Sequence, residues 1–485
     1  MIFLALIFYA LWAISLRYDI WMFQQNSYMP SRYYTWFKSD WLANSLSKGL
    51  LSPPKVPLVW TRRVIRIVAV SVALGLLLLS LSWKLGGTAL LVVMAVLVLL
   101  LDKLLVVLAN LILSPVEALI RRWYYQDARR ILDSHPDLVV IGVTGSYGKT
   151  STKNYLYRIL SEKYNVLVTP GNYNTSLGVV RTIREQLKPY HRFFIVEMGA
   201  KQPGDVREIC RLVHPTVGIV TAVGPMHLET FGSVGNVRRT KFELLEALPE
   251  DGVGIVNLDS EGIASAKSFP CRGRLLGFGI RSAEADYKAG DVRYSPNGTS
   301  FTLEGGSDGR VVYHTPVMGE GNVLDIIGAA VAAEVLGVEV GARKTGVSKL
   351  AAVEHRLSIS TRGGITVIDD AYNSNPEGAA MALDVLQRIE APEGAKRIVV
   401  TPGFVEMGPE QDRACEEFGR HIAEVADGLI VVNRLNRDAL CKGAGSMGEA
   451  LYIAEDLREA SAMVARLALP GDIVLYENDL PDSFK

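Results

Sequence analysis

Long apolar runs are concentrated in the first quarter of the chain, before Pro115. Residues 1–16 are almost wholly apolar, and two further apolar runs occupy residues 64–83 and 88–101, separated by the short segment 84–87. An apolar run of about 20 residues is long enough to cross a bilayer as a helix. The pattern predicts a short first membrane helix, followed by a helical hairpin that turns at residues 84–87.

Two charged residues interrupt the second arm of this hairpin. Asp102 and Lys103 precede a last apolar run at residues 104–113. A charge at the bilayer centre costs about 2.5–3.5 kcal/mol on insertion scales, so we expect both residues at the membrane interface, with an intramembrane pair as the alternative. Residues 1–16 lack a basic start and a small-residue cleavage site, which favours a retained helix over a removed signal peptide.

Basic residues predict how this region is oriented, because Lys and Arg are enriched in cytoplasmic segments. They cluster between the first and second spans and after the third: Arg32, Lys38, Lys48, Lys55, Arg62, Arg63, Arg66, Arg121, Arg122, Arg129 and Arg130. An aromatic cluster typical of an interfacial helix comprises Tyr33, Tyr34, Trp36, Phe37 and Trp41. We expect about three helices in contact with the lipid bilayer at residues 1–114, a cytoplasmic linker helix at residues 115–136, and the remaining chain in the cytoplasm.

After residue 136 the pattern changes to short runs of β-branched residues that alternate with helix-like stretches. This alternation is typical of α/β domains, and 485 residues leave room for more than one of them. Lys plus Arg and Asp plus Glu are 51 each, so the net charge is zero and the overall charge indicates no nucleic-acid partner. The four cysteines lack metal-ligand spacing and are expected to be reduced thiols.

A phosphate-binding loop follows the first of these strands. The apolar run at residues 138–143 leads into TGSYGKTS at residues 144–151 and then into a helix-like stretch. In this context glycines let backbone N–H groups approach phosphate oxygens, Lys neutralises the β- and γ-phosphates and Thr holds Mg²⁺. ATP or GTP is the predicted ligand, although Val143 stands where the usual motif has its first glycine. The candidate residues are Thr144, Gly145, Ser146, Gly148, Lys149, Thr150 and Ser151.

Further polar segments follow the next strands. GNYNTSLG at residues 171–178 opens a helix, a later strand ends in Glu197, and the segment after the following strand contains His227. Lys241 then begins the sequence KFELL. Each residue alone is more often a surface, capping or structural residue. Their order and spacing together indicate a nucleotide- and metal-dependent site.

In this combination the motifs resemble the Mur ligase family, closest to its MurF branch, from about residue 139 to the C-terminus. The resemblance implies that Lys149 and Thr150 bind the ATP phosphates and Mg²⁺, and that Glu197 and His227 hold metal. It also implies that Lys241 is carbamylated, which would turn a cation into a carboxylate able to help hold Mg²⁺.

The resemblance extends to the adenine side and to a last domain. Asn322 resembles the family's adenine-side Asn, although Gly321 stands where the family usually has His. Arg356 resembles a phosphate-contacting Arg, and Asp370, within DDAYNSNP at residues 369–376, would hold the ribose or orient ATP. Residues implied to face the substrates are Asn172, Asn174, Thr175, Tyr372, Asn373 and Asn375.

The predicted fold class is α/β, with N-terminal transmembrane helices, a phosphate-loop central domain at residues 137–354 and a Rossmann-like C-terminal domain at residues 355–485. The family's usual N-terminal domain, which grips a UDP-sugar precursor, is not recognisable, and the membrane segment takes its place. We therefore expect either a UDP-linked or a lipid-linked wall precursor as one substrate, and an amino acid or dipeptide as the other.

The function implied is an ATP-dependent ligase that forms an amide bond through an acyl phosphate, with Lys149, His227, Lys241 and Arg356 as the catalytic set. Two alternatives remain open. One is a ligase resembling poly-γ-glutamate synthase, which also combines an apolar N-terminus with a Mur-like ATPase. The other is a non-catalytic, nucleotide-binding membrane scaffold, which the presence of every phosphate and metal ligand disfavours.

Overall fold

The computed structural model describes residues 2–26, 28–30, 33–34, 57–171, 173–226, 228–263, 271–295, 298–351, 357–371 and 375–479. These residues divide into two compact units, one that ends at Trp123 and one that spans Tyr124–Asp479. Trp36, Phe37 and Trp41 of the aromatic cluster lie outside the described residues, so its interfacial helix stays a prediction.

The N-terminal unit is helical. Its helices are α1 (Ile2–Gln25), α2 (Arg62–Leu100) and α3 (Asp102–Asp133), the last of which continues into the second unit. α1 is longer than the predicted run at residues 1–16, and α3 passes through Pro115 without ending there. By length and composition, all three helices could cross a membrane.

The predicted hairpin turns within α2. Gly87 has non-helical backbone angles (φ 62°, ψ −147°), which a glycine adopts without steric cost. A Cβ added to Gly75 would lie 3.6 Å from a methyl group of Val98, so the chain after Gly87 runs back along the chain before it. Further along the hairpin, Arg66 forms a 2.6 Å ion pair with Glu117 of α3.

The two charged residues that interrupt the apolar pattern are buried within this unit. Asp102 and Lys103 are 1% and 3% exposed. Asp102 shares hydrogen bonds with Asp19 and Ser15 of α1. Burial with polar partners explains how the helices accommodate these residues, and their expected position at the membrane interface stays a prediction.

The second unit contains two sheets, the first with nine strands in the order β2-β3-β1-β4-β5-β6-β7-β8-β9. The strands from β2 to β7 in this order pair in parallel, and β8 and β9 continue the sheet antiparallel. Their bounds are β1 (Val139–Thr144), β2 (Val166–Val168), β3 (Phe193–Glu197), β4 (Val217–Val220), β5 (Val253–Asn257), β6 (Arg274–Gly279), β7 (Tyr287–Ser295), β8 (Gly298–Glu304) and β9 (Arg310–Thr315).

Helices cover both faces of this sheet, so its parallel strands are buried. One core contains Tyr155, Ile159 and Ile327, and a separate core contains Val179, Ile209 and Leu244. The helices are α4 (Lys149–Leu160), α5 (Ser176–Gln186), α6 (Asp205–Val213), α7 (Leu228–Phe231), α8 (Val234–Glu246), α9 (Glu320–Val335) and α10 (Val340–Ser348).

The second sheet has six strands in the order β10-β11-β15-β12-β13-β14, of which only β10 is antiparallel. It lies between two further apolar cores, as expected for a Rossmann-like domain. The elements are β10 (Ser358–Arg362), β11 (Ile365–Asp370), α11 (Pro376–Arg388), β12 (Arg397–Thr401), α12 (Gln411–Val425), β13 (Gly428–Val432), α13 (Arg437–Gly443), β14 (Leu451–Ala454), α14 (Leu457–Leu467) and β15 (Ile473–Glu477), with 3₁₀ turns at Gly408–Glu410 and Gly445–Ala450.

The strand order of the first sheet indicates where a ligand would bind. β1 pairs with β3, which brings Val143 opposite Glu197, and with β4, which brings Thr144 opposite Val220. Ligands of open parallel sheets bind at the carboxyl ends of the strands where the strand order reverses. The loop after β1 and the end of β3 meet at such a point.

The position of α4, which carries this loop, depends on a close contact with α10. A Cβ added to Gly346 would lie 2.7 Å from the Cα atom of Ile159, whereas one added to Gly341 in the same helix would meet no atom within 4 Å. We expect Gly346→Ala to lower the free energy of unfolding by about 1–3 kcal/mol through overpacking. Gly341→Ala should raise it by about 0.5–1 kcal/mol because alanine favours the helix.

Urea unfolding of the full chain in detergent, followed by circular dichroism, measures both changes. If Gly346→Ala and Gly341→Ala changed the free energy of unfolding equally, the close contact between α10 and α4 at Gly346 would be contradicted.

Candidate active site

The loop between β1 and α4 requires glycine at two positions. Gly148 has φ +78°, and a Cβ there would lie 2.3 Å from a carboxylate oxygen of Asp325. A Cβ at Gly145 would lie 2.0 Å from the hydroxyl of Thr221, which follows β4. The loop is therefore held close to neighbouring elements, with a backbone shape that suits N–H groups converging on a phosphate.

Side chains of the loop hold it to the rest of the sheet. The Ser146 hydroxyl donates to Gly224 O and accepts from Gly224 N, at 3.1 and 3.0 Å. The Thr144 hydroxyl donates to Met198 O at 2.8 Å. Ser151 hydrogen-bonds Tyr155 one turn later in α4. These three predicted ATP-binding residues use their side chains within the protein, and the Ser146 N–H group donates to Ala222 O at 2.7 Å. Their contacts therefore fix the shape of the loop.

The Lys149 ammonium group folds back over the loop. It donates to the carbonyl oxygens of Gly145 and Ser146 at 2.7 and 2.9 Å. A carbonyl oxygen carries no net charge, so it attracts an ammonium ion less strongly than the anionic oxygens of a phosphate do. Lys149 therefore lies where the β- and γ-phosphates of a nucleotide would attract it.

A carboxylate and a hydroxyl meet beside this lysine. The Thr150 hydroxyl lies 3.2 Å from both carboxylate oxygens of Glu197. The Asn174 amide donates to the Glu197 Oε1 atom at 3.2 Å, so a third predicted residue joins the group. Hydroxyl and carboxylate oxygens are the ligands Mg²⁺ prefers, usually supplemented by phosphate oxygens and water. The described residues thus fit one Mg²⁺ held between the protein and a nucleotide.

Glu197 is almost fully buried and depends on a lysine that the sequence did not single out. Lys153 and Glu197 are each 2% exposed and form a 2.9 Å ion pair. The Lys153 ammonium also donates to the carbonyl oxygens of Thr169 and Gly171, at 3.0 and 2.8 Å. Burial alone would raise the pKa of Glu197, but Lys153 and Lys149 hold it below its ordinary value. Glu197 is therefore ionised and available to a cation.

Lys241 is buried in α8 at the same end of the sheet. It is 2% exposed, and its pKa is well below the ordinary value because of burial and then repulsion from Lys149. A lysine held neutral is reactive towards electrophiles such as CO₂, since only the free amine is nucleophilic. The predicted carbamylation has this support and stays a prediction.

A second acidic residue next to the loop was missed at the sequence level. Asp325 of α9 accepts a 2.9 Å hydrogen bond from Thr152 of α4, and it packs against Gly148. The two residues are 173 positions apart in the chain, so no local pattern connects them.

The predicted adenine-side residue is buried between helices. The Asn322 carbonyl accepts from the Tyr155 hydroxyl at 2.7 Å, and its amide donates to Met318 O at 2.8 Å. Beside it, a Cβ on Gly321 would lie 2.7 Å from the sulfur of Met381 in α11. The Met381 side chain thus fills the space next to the position where the family has His, and an adenine contact by Asn322 stays a prediction.

Three other predicted residues have defined local roles. Thr175 and Asn375 cap helices α5 and α11, accepting from Gly178 N at 3.3 Å and Gly378 N at 3.0 Å. Asp370, at the end of β11, accepts from Leu357 N at 2.9 Å. Capping stabilises a helix by about 1 kcal/mol, and it accounts for the two side chains without a substrate contact.

Five predicted residues lie outside the described residues: Asn172, His227, Arg356, Tyr372 and Asn373. The predicted boundary between the two domains, at residues 354 and 355, also lies there. Within the described part of the chain, no three His, Cys, Asp or Glu side chains converge to hold a metal. A second metal site therefore stays a prediction.

Comparisons with known proteins place most of the second unit in one family. Residues 143–333 match the family model described as Mur ligase middle domain, and residues 355–476 match the Mur ligase glutamate ligase domain. The UDP-N-acetylmuramoyl-tripeptide–D-alanyl-D-alanine ligase of Escherichia coli K12 is 30% identical over 331 residues, which cover 68% of this chain and 70% of that protein. The chain belongs to the Mur ligase family. The ligase of the same name from Bacillus subtilis 168 is 30% identical over 70% of this chain and 72% of its own length.

Solved structures of MurF ligases share the fold. MurF from Acinetobacter baumannii superposes with a TM-score of 0.66 at 27% identity, covering 74% of this chain and 77% of its own. MurF from Thermotoga maritima, solved in complex with ADP, gives 0.65 at 26% identity, covering 74% and 80%. The expectation of a MurF-like ligase that uses ATP and Mg²⁺ is confirmed, as is the α/β Mur ligase fold.

The Mur ligase site predicts a large energetic role for Lys153. Lys153→Met leaves the Glu197 carboxylate buried without its cation, which should lower the free energy of unfolding by roughly 3–5 kcal/mol near neutral pH. Lys163→Met is a matched control, because Lys163 pairs with Glu339 at 3.2 Å with the two side chains 44% and 81% exposed. Exposed pairs contribute at most about 1 kcal/mol.

The loss of unfolding free energy caused by Lys153→Met should become smaller as the pH falls. The folded pKa of Glu197 lies below its ordinary value of 4.5, so its ionised form stabilises the fold above that value and loses this effect as the pH falls through the folded pKa. The difference between wild type and Lys153→Met in urea titrations should therefore shrink in acid. A difference that grows in acid would show that the pair does not act through the ionised carboxylate.

Proposed function

We propose that this Mur ligase joins a carboxylate of a cell-envelope precursor to an amine, with ATP converted to ADP and phosphate. The observation that carries the proposal is the Glu197 carboxylate, 3.2 Å from the Thr150 hydroxyl and paired with Lys153, beside a phosphate loop that carries Lys149. This arrangement neutralises and orients a nucleotide triphosphate, and positioning with charge neutralisation is what phosphoryl transfer requires.

The reaction proceeds in two steps. A carboxylate oxygen of the first substrate attacks the γ-phosphorus of ATP, ADP leaves, and an acyl phosphate forms. The amine of the second substrate then attacks the acyl carbon, the amide forms and phosphate leaves. Phosphorylation is needed because a free carboxylate oxygen is a poor leaving group.

For both steps the protein supplies positive charge next to the phosphate groups. Lys149 would offset charge on the transferring phosphoryl group, and by resemblance Arg356 would do the same from the C-terminal domain. When bound, Mg²⁺ adds positive charge next to the phosphates. Thr150 and Glu197 would hold it, together with His227 and carbamylated Lys241 by resemblance.

The relatives suggest the substrates. They are named as ligases of UDP-N-acetylmuramoyl-tripeptide and D-alanyl-D-alanine, and we propose the same chemical groups for this chain. The N-terminal helices, long and apolar enough to cross a membrane, favour a lipid-linked form of the muramoyl-peptide, modified at the cytoplasmic face. The alternative of a ligase resembling poly-γ-glutamate synthase has less support, since the MurF relatives match both catalytic domains.

Substrate-dependent phosphate release tests the proposal. The full chain in detergent is given Mg-ATP, D-alanyl-D-alanine and either UDP-N-acetylmuramoyl-tripeptide or its lipid-linked counterpart, with Lys149→Ala as the inactive control. We expect amide product with the lipid-linked form, because the membrane helices would bring enzyme and substrate together. Product only with the soluble form would contradict the membrane-stage assignment. ATP binding without product from either would overturn the wall-precursor assignment and favour the scaffold.

The carbamate role of Lys241 gives a second prediction. Lys241→Ala should lose at least roughly 100-fold of turnover, because a group that orients the metal is lost. Acetate should restore part of it, since a small carboxylate can occupy the space left by the carbamate. Arg239→Ala, on the exposed part of the same helix, is the control. Full activity of Lys241→Ala, or a loss insensitive to acetate, would refute the carbamate role.

A further inference from the structure

A carboxylate from the C-terminal domain reaches the phosphate-loop side of the cleft. Glu377 lies in the first turn of α11, two residues after the cap Asn375. A Cβ built on Gly224 would lie 3.1 Å from the Glu377 Oε2 atom and 3.4 Å from the Tyr147 ring. Gly224 itself is hydrogen-bonded to Ser146 of the phosphate loop. Glu377 therefore lies against the segment where the phosphoryl group would be transferred.

The Glu377 side chain is half-buried, and one of its two carboxylate oxygens is fully buried. Its Oε2 atom is inaccessible to solvent and accepts no hydrogen bond from the described residues. Burial raises the pKa of Glu377 above its ordinary value, and no cation among the described residues lowers it. Removing a carboxylate oxygen from water without a compensating partner is unfavourable, so this position of Glu377 needs an explanation.

A purely structural role does not explain this position. An acidic residue in the first turn stabilises a helix through the helix dipole, and an exposed side chain provides this equally well. Exposure would also avoid the desolvation cost. The orientation of Glu377 towards Gly224 and Tyr147 therefore needs a ligand rather than a helix to account for it.

The amine substrate has the charge that this site lacks. The amino group of a dipeptide is protonated at neutral pH, and it must approach the acyl phosphate formed beside Lys149. In a water-excluding cleft a positive amine is repelled by the lysines and needs its own counter-charge. We propose that Glu377 binds the ammonium group of the incoming amine substrate next to the acyl phosphate and accepts one proton from it, so that the free amine attacks the acyl carbon. This inference rests on the proposed ligase function.

An uncharged nucleophile distinguishes binding of an ammonium group by Glu377 from a purely structural role of this residue. Hydroxylamine is neutral at neutral pH and converts an acyl phosphate to a hydroxamate and phosphate, so it reports acyl phosphate formation without an ammonium group. The full chain is assayed with the carboxylate substrate that supports turnover, and with either D-alanyl-D-alanine or hydroxylamine as the nucleophile. The variants are Glu377→Gln, Glu377→Asp and the control Glu390→Gln, whose side chain is exposed just after α11.

Glu377→Gln should raise the KM for the dipeptide by roughly 30-fold or more, because it leaves a buried ammonium without its counter-charge. Its KM for ATP and its hydroxamate rate should match wild type, and Glu377→Asp should recover part of the dipeptide affinity. An unchanged KM for the dipeptide, or an equal loss of amide and hydroxamate formation, would overturn the role of Glu377. Failure of the wild-type chain to form either product would instead refute the proposed ligase function.

Discussion

The site depends on a carboxylate that is buried and kept ionised. Glu197 ends β3 between two parallel neighbours, a position where water is excluded. The Lys153 ammonium offsets its charge at 2.9 Å and also binds the carbonyl oxygens of Thr169 and Gly171. One lysine therefore joins the phosphate-loop helix, the carboxylate that we propose as a metal ligand and the loop that leads to Asn174.

Other contacts hold the phosphate loop in place before a nucleotide binds. Ser146 and Thr144 hold the loop to the segments after β4 and β3, and α10 holds α4 through the close contact at Gly346. A preorganised site does not have to be ordered when the substrate binds, which favours charge stabilisation in the transition state. The C-terminal domain then adds groups from the opposite side, with Met381 against Gly321 and Glu377 against Gly224.

The sequence predicts features that are local. The phosphate loop, the carboxylate at the end of β3 and the reversal near residues 84–87 all follow from short patterns, and the structure contains each of them. Features made by packing are not predictable in this way. In the sequence, Lys153 looks like an ordinary helix residue, and its role follows only from the packing of β3 against α4. Asp325 and Thr152 are 173 positions apart in the chain, and only the fold brings them into contact.

Two further features go beyond the apolar and motif patterns. α1 extends to Gln25, beyond the apolar run, and Asp19 within this extension is buried and hydrogen-bonds to Asp102. The resemblance implies that Thr175 and Asn375 face the substrates, which stays a prediction, and in the structure their side chains cap helices. A Thr or Asn immediately before a helical stretch is a common capping signal, so the local sequence already contained this interpretation.

The central claim is that the chain phosphorylates a substrate carboxylate rather than simply hydrolysing ATP. Labelling the carboxylate oxygens of the muramoyl-peptide with ¹⁸O and analysing the released phosphate by mass spectrometry tests this directly. Attack by the carboxylate on ATP, followed by amide formation, transfers one labelled oxygen to each phosphate released. Phosphate that carries no ¹⁸O from the substrate would show that water is the nucleophile, and would contradict a ligase mechanism.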